Sequence, residues 1–202
     1  MSERHLEERP ENALRSVLEQ GAEFLTGRGV EPARFLAERL LEGVLSCRRF
    51  ELYLDRDRRL EPAEVDQFFG CLRKRAEGIP SQYILGQAEF MDFLLEVNPD
   101  VLIPRPETEL LVEKALAETR ASGRDRRCLS ILDMGTGSGN IAISLASYLP
   151  PGKVTAVDIS GRALDVARRN ALRNEVAHRI EFLASDLFAK IPSGAEFDLI
   201  VS

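Results

Sequence analysis

The chain has 202 residues and a formal net charge of -6, with 44% hydrophobic and 30% charged residues. These values are typical of a globular protein with room for one large domain, or for a small and a medium one. Because proteins that hold a long phosphate backbone usually present a basic surface, the acidic balance argues against nucleic acid as the partner.

The cysteines and the hydropathy narrow the class of protein further. Cys47, Cys71 and Cys128 are widely spaced and form no Cys-x-x-Cys pair, which disfavours a disulfide framework and a zinc site. We therefore expect no metal and a reducing compartment. No run of 18 apolar residues and no signal-peptide pattern occurs, so we expect a cytoplasmic protein with no membrane partner.

The N-terminal part of the chain is predicted to be helical. From Pro10 to about Gly78, apolar residues recur at intervals of three and four, the spacing of amphipathic helices. Pro32 and Pro62 stand where first helical turns would begin. We assign residues 1–78 to a small helical bundle.

The periodicity changes in residues 79–104, where apolar residues are scattered among polar ones. This pattern predicts an antiparallel β-hairpin, which we interpret as a linker between two domains. Pro104 and Pro106 then prevent regular strand pairing, and a helix is predicted to open at Glu107.

Residues 105–202 are assigned to an α/β domain. Strands and helices alternate there, which predicts a parallel, doubly wound sheet. The predicted elements are strand 129–133, helix 139–148, strand 153–157, helix 161–173, strand 180–184 and strand 197–201.

The most informative segment is Asp133-Met134-Gly135-Thr136-Gly137-Ser138-Gly139, which follows the first of these strands. A strand that ends in a carboxylate and turns through glycines into a helix is typical of a nucleotide-cofactor cradle. A dinucleotide fingerprint would need glycine at Asn140, so NAD fits poorly. The acid two residues before the first glycine suits a cationic amino group, which S-adenosylmethionine carries. A plain tight turn is the alternative interpretation.

Two further acids follow later strands. Asp158 lies nineteen residues beyond Gly139 at the end of a β-branched run, a separation that suits hydrogen bonding to both ribose hydroxyls. Alternatively, it caps the helix that starts near Gly161. Asp186 follows the third strand and suits the adenine amino group, with Leu187 packing on the ring, unless Asp186 is a solvated loop acid.

Several motifs together resemble one family. They are Gly78-Ile79-Pro80-Ser81-Gln82-Tyr83-Ile84-Leu85-Gly86, Glu89-Phe90, Leu102-Ile103-Pro104-Arg105-Pro106-Glu107-Thr108-Glu109 and the glycine segment. In this combination the chain resembles the HemK/PrmC family of peptide chain release factor glutamine methyltransferases. The resemblance implies a helical bundle, a hairpin linker and a Rossmann-like domain. It also implies methyl transfer from S-adenosylmethionine to the glutamine of the Gly-Gly-Gln motif in class 1 release factors.

The resemblance also implies roles for individual residues. It assigns Asp133, Gly135, Thr136, Gly137, Ser138, Gly139, Asp158, Ile159, Asp186 and Leu187 to the cofactor, and Phe90, Arg105, Pro106, Glu107 and Thr108 to the wall beside the substrate. Asp92 and Ser81 depart from the family pattern and bear on the shape of the hairpin. The family's Asn-Pro-Pro-Tyr motif, which binds the amide, is expected just after Ser202, so we expect no catalytic residue in this chain and a longer enzyme.

Three other functions stay open at this point. The first is methylation of the amino group of adenine in nucleic acid, because enzymes of that class share the Asn-Pro-Pro-Tyr motif expected after Ser202. The chain alone is also compatible with a non-catalytic module whose bundle binds a release factor. An NAD-dependent oxidoreductase fits least, because of Asn140 and Asp133.

Overall fold

The computed structural model describes residues 12–121, 129–149 and 152–202. They fall into two compact units, one ending at Leu85 and the other beginning at Gly86. Cys128, one of the three cysteines considered above, lies outside the described residues. Within the described ranges, no helix is long and apolar enough to cross a membrane.

The first unit is helical. Its elements are α1 (Leu14–Thr26), α2 (Ala33–Leu45), α3 (Glu51–Leu54), α4 (Pro62–Ala76) and α5 (Ser81–Leu85). Leucines and phenylalanines at helical spacing form its core, among them Leu18, Leu41 and Phe68. Pro62 opens α4 at the first helical position, and a capping box between Glu61 and Glu64 satisfies the first-turn N–H groups.

A buried carboxylate, Glu38, lies within this unit and is 1% exposed. Its Oε1 accepts a hydrogen bond from Arg34 Nε at 2.8 Å and another from the Tyr53 hydroxyl. Its Oε2 accepts from Arg49 Nε at 2.8 Å. Burial alone would raise the pKa of Glu38, but these three donors outweigh it and lower the pKa.

The second unit begins with a hairpin of β1 (Gln87–Phe90) and β2 (Phe93–Glu96), which pair antiparallel. The hairpin was predicted, but α5 was not, because residues 79–86 were assigned to the hairpin linker. The hairpin turn is held by two side chains from this unit: Glu109 accepts from the Met91 N–H at 2.7 Å, and the Tyr148 hydroxyl donates to Asp92 at 2.5 Å. Asp92, a departure from the family pattern, thus has a structural partner.

The rest of the second unit is the predicted α/β fold. Its elements are α6 (Pro106–Ala121), β3 (Ser130–Met134), α7 (Asn140–Tyr148), β4 (Lys153–Asp158), α8 (Gly161–Arg173), β5 (Ile180–Ala184) and β6 (Leu199–Val201), with a short 3-10 turn at Ala177–Arg179. The strands are parallel in the order β5-β4-β3-β6. Helix α8 and strand β5 end where predicted, and the ends of the other predicted elements differ by at most two residues, within the usual ambiguity of element ends. The fold class is confirmed.

Candidate cofactor-binding site

The sheet topology places the candidate site at the ends of β3 and β4. β3 pairs with β4 on one side and with β6 on the other. Strands after β3 are therefore added first toward one edge of the sheet and then toward the other, while all of them stay parallel. In open α/β sheets, ligands bind beyond the carboxyl ends of strands at such a switch point. Asp133 and Asp158 both lie at this end of the sheet.

The glycine turn between β3 and α7 uses the left-handed backbone conformation at three positions: φ is +78° at Gly135, +53° at Gly137 and +83° at Gly139. The N–H groups of Gly135 and Thr136 both donate to the Val157 carbonyl, at 2.8 and 2.9 Å, which fixes the turn to β4. The turn is therefore anchored to the neighbouring strand.

The three glycines serve different purposes. A Cβ on Gly135 would meet nothing within 4 Å, and one on Gly137 only the Gly135 carbonyl at 4.0 Å. A Cβ on Gly139 would meet Ala167 and Ile143 at 3.1 Å. The first two glycines thus leave open space along the turn, whereas the third allows α8 to pack closely against it.

Asp133 is the buried acid of the site and is 1% exposed. Its Oδ2 accepts from Thr136 Oγ1 at 2.7 Å and from the Ala142 N–H at 3.1 Å. Its Oδ1 is buried and has no hydrogen-bond partner among the described residues. Ser138 Oγ in the turn is likewise buried and has no partner among those residues. Burial raises the pKa of Asp133 to about 6, against those two hydrogen bonds, and the nearby Asp158 charge adds to the shift.

Asp158 connects the two strand ends. Its Oδ2 accepts from the Gly137 N–H and its Oδ1 from the Ser160 N–H, both at 2.9 Å. Ser160, whose Oγ accepts from the Ala163 N–H, is the residue that caps α8. The carboxylate of Asp158 is therefore oriented by the glycine turn rather than used as the helix cap.

Exposed apolar side chains surround the ends of β4 and β5. Ile159 is 73% exposed and Leu187 61% exposed. The Ser185 N–H donates to the Asp158 carbonyl at 3.0 Å, which joins the two strand ends, and Asp186 follows in an exposed turn. Leu187 has a φ of +47°, a conformation that a leucine rarely adopts. Residues in such rarely populated conformations are concentrated at functional sites.

The residues predicted for the substrate wall are distributed differently. Phe90 is 1% exposed and packs in the core with Leu95 and Val112. Arg105 lies just before α6, and Pro106, Glu107 and Thr108 form the first turn of that helix. The side chains of Arg105, Pro106 and Glu107 are exposed, whereas Thr108 is half-buried. Their place beside a substrate stays a prediction.

One residue of the site was not predicted. Asn170 on α8 is fully buried and donates from Nδ2 to the Ser138 carbonyl at 2.9 Å. A signal was present in the sequence, because Asn170 lies at helical spacing from Ala163, Val166 and Ala167 on the apolar face of α8. A polar side chain on such a face needs partners that only tertiary structure supplies.

A buried acid near the end of a central strand, a turn of left-handed glycines and a second acid at the end of the neighbouring strand are typical of α/β domains that bind nucleoside-containing cofactors. Residues 131–202 match the family model described as the methyltransferase domain, and residues 16–86 match the PrmC N-terminal domain.

Comparison with curated proteins identifies the family. The chain is 46% identical to the release factor glutamine methyltransferase of Chlorobaculum tepidum over 96% of this chain and 68% of that protein. It is 40% identical to the protein of that name from Rhodopirellula baltica, over 92% of this chain and 63% of that protein. The chain belongs to the release factor glutamine methyltransferase family, which confirms the resemblance found in its motifs. It spans about two thirds of the length of these relatives.

Among solved structures, the chain is similar to the ribosomal protein L11 methylase from Lactobacillus delbrueckii subsp. bulgaricus. The identity is 31%, the match covers 52% of this chain and 49% of that one, and the TM-score is 0.41.

Proposed function

We propose that the second unit binds S-adenosylmethionine across the ends of β3, β4 and β5. The observation that carries this proposal is Asp133 Oδ1, a buried acceptor for which the described part of the chain offers no donor, beside glycines whose side-chain space is open. The ammonium group of the cofactor's methionine part would supply the missing donor. A buried carboxylate oxygen without a partner is costly, so completing it favours binding.

The remaining predicted cofactor residues fit the rest of the molecule. Asp158 has lone pairs left for the ribose hydroxyls, because each of its oxygens accepts one backbone N–H. Ile159 and Leu187 would cover the adenine ring, and Asp186 would accept from its amino group. The bound cofactor would supply an electrophilic methyl group on its sulfonium, which no side chain can provide.

The proposed methyl acceptor is the side-chain amide of the glutamine in the Gly-Gly-Gln motif of class 1 release factors. The names of the relatives support a release factor as substrate. An amide nitrogen is a poor nucleophile, so the protein's contribution is alignment of the amide rather than proton transfer. We assign Phe90 and Arg105 to Thr108 to the surroundings of that glutamine and the helical unit to recognition of the release factor, in the cytoplasm.

Cofactor binding is tested first, by titration calorimetry with S-adenosylhomocysteine. We expect saturable binding to the unsubstituted protein. In Gly135→Ala the affinity should fall at least about tenfold, because the new Cβ enters the open space of the turn. Gly29→Ala is the matched control: its φ is +69° and its Cβ would also meet nothing within 4 Å, but it lies in the helical unit. Equal affinity in the two variants would contradict the proposed site.

Methyl transfer is tested separately, with methyl-labelled S-adenosylmethionine and a class 1 release factor. The assay compares this chain with a longer protein in which the same residues are followed by the family's Asn-Pro-Pro-Tyr motif. We expect the longer protein to label the Gly-Gly-Gln glutamine, with no label when that glutamine is replaced by alanine, and we expect this chain alone to bind cofactor without transfer. Cofactor binding by the longer protein without transfer to a release factor, or preferential transfer to nucleic acid, would refute the proposed substrate.

A further inference from the structure

One side chain on α8 contacts both the hairpin and the glycine turn. The Glu96 N–H in β2 donates to Asn170 Oδ1 at 2.6 Å, and Asn170 Nδ2 donates to the Glu96 carbonyl at 2.9 Å. The second hydrogen of the same Nδ2 is donated to the Ser138 carbonyl. Both amide hydrogens are therefore used, and the amide orientation is determined by its partners.

This arrangement couples the two segments geometrically. The Asn170 side chain is planar and fully buried, so a displacement of the Ser138 carbonyl either moves the amide plane or breaks its hydrogen bond. Moving the plane changes both hydrogen bonds to Glu96. The turn also rests on α8 at a second point, because Gly139 lies against Ala167, one helical turn before Asn170.

The hairpin has a second attachment to α8 that does not involve the turn. Arg169 Nε and Nη2 donate to the Glu96 carboxylate, at distances down to 2.7 Å. This ion pair is about half-exposed, and exposed pairs contribute little to stability. Arg169 therefore offers a matched control: it anchors the same hairpin residue without touching the glycine turn.

We infer that Asn170 is a positioning residue that transmits cofactor binding at the glycine turn to the hairpin. The inference rests on the proposed function, in which the turn binds the cofactor and the hairpin, through Phe90, supports the surroundings of the substrate glutamine. Ligand contact with the turn orders the Ser138 carbonyl, and Asn170 then holds the β2 backbone in the matching position. Cofactor and protein substrate consequently bind with positive coupling, which is reciprocal by thermodynamic necessity.

The test is amide hydrogen exchange, resolved by residue, with and without S-adenosylhomocysteine. In the unsubstituted protein we expect the ligand to slow exchange in residues 135–139 and also at the N–H groups of Glu96 and Val97. In Asn170→Ala the turn should still respond, with affinity lower by about fivefold, whereas the Val97 N–H, which keeps its own acceptor in the Gly86 carbonyl, should no longer respond. In Arg169→Ala the basal exchange of the hairpin rises, but the responses of Glu96 and Val97 to the ligand remain.

The possible failures are distinguishable. If no ligand binds to the unsubstituted protein, the proposed function fails. If the ligand binds but Glu96 does not respond, the inference is overturned by the unsubstituted protein alone, even where Asn170→Ala does not fold. A response of Val97 retained in Asn170→Ala, or lost in Arg169→Ala, overturns it as well.

Discussion

Two carboxylates of this chain are equally buried but have different surroundings. Glu38 in the helical unit and Asp133 at the glycine turn are each 1% exposed. Both oxygens of Glu38 accept hydrogen bonds from cationic or phenolic donors, and its pKa is lowered. Asp133 has one oxygen without a partner among the described residues, and its pKa is raised to about 6. The first carboxylate is satisfied within its own unit, whereas the second keeps an acceptor that, under the proposed function, the ammonium group of the cofactor completes.

An unpaired oxygen alone does not define a ligand site. Glu42 Oε1 is also buried without a partner among the described residues, and burial raises the pKa of that carboxyl. Its other oxygen accepts from Arg39, and it lies on the regular helix α2. Asp133 differs because it adjoins a turn whose first two glycines leave the space of a side chain open. The combination of an unpaired acceptor and open space carries the assignment.

The sharpest test of this contrast is Asp133→Asn, which removes the charge and keeps the shape. We expect the affinity for S-adenosylhomocysteine to fall about 100-fold, because a charge-assisted hydrogen bond to the ammonium group is lost. The thermal midpoint should not fall, since removal of a buried charge offsets the altered hydrogen bonding. Calorimetry and thermal denaturation followed by circular dichroism measure both quantities. A lower midpoint with unchanged affinity would make Asp133 a structural residue like Glu38.

The same substitution in the helical unit, Glu38→Gln, should have the opposite result. It replaces one of the two acceptor oxygens by an NH2 group and removes the negative charge that faces Arg34 and Arg49, and we expect a loss of about 2 kcal/mol of unfolding free energy. Faster amide exchange in α2 would locate the loss, and cofactor affinity should not change. Glu19→Gln is the control, because the Arg15–Glu19 pair is exposed and should contribute under about 0.5 kcal/mol.

The pH dependence should separate stability from binding at Asp133. A folded-state pKa of about 6 lies above the ordinary value of about 4 for aspartate, so the folded state takes up a proton in this window. The contribution of Asp133 to stability therefore rises as the pH falls from 6 to 4. Cofactor affinity should fall over the same window, by about tenfold per pH unit, since the neutral acid cannot hold the ammonium group.

Calorimetric titrations between pH 5 and 8 measure this dependence, with Asp133→Asn as the control that should lack it. Glu38 has a lowered pKa, so the stability that it contributes is present above about pH 4 and is lost only as the pH falls further. A pH dependence that persists in Asp133→Asn would assign it to another group.

Much of the second unit was predictable because its signals are local. The β-branched run Lys153–Asp158 and the apolar face of Gly161–Arg173 gave β4 and α8 nearly to the residue. The one-turn helix α5 was missed because five residues are too short to show a period. Local patterns thus identify long elements and miss short ones.

The positions of the acids in the proposed site were also predictable, but their hydrogen bonds and pKa shifts were not. The position of Asp133 follows from the strand and the glycines, whereas its free oxygen depends on which N–H groups reach it in the fold. Asn170 could not be paired from the sequence, because its partners are backbone atoms 74 and 32 residues away. The hydrogen bonding of the proposed site therefore needed tertiary structure even where its residues were predicted.

The smallest expected effect concerns Leu187, which has a left-handed backbone conformation. Here the proposed site is tested by backbone conformation rather than by charge. Asparagine adopts this conformation more readily than leucine, so Leu187→Asn should raise the unfolding free energy by about 0.5 kcal/mol. Affinity for S-adenosylhomocysteine should fall about fivefold, because an apolar contact with the adenine ring worth about 1 kcal/mol is lost. Leu172→Asn, at a similarly exposed leucine on α8, is the matched control and should leave affinity unchanged. If both substitutions lower stability alike and neither changes affinity, the strain at Leu187 serves no ligand.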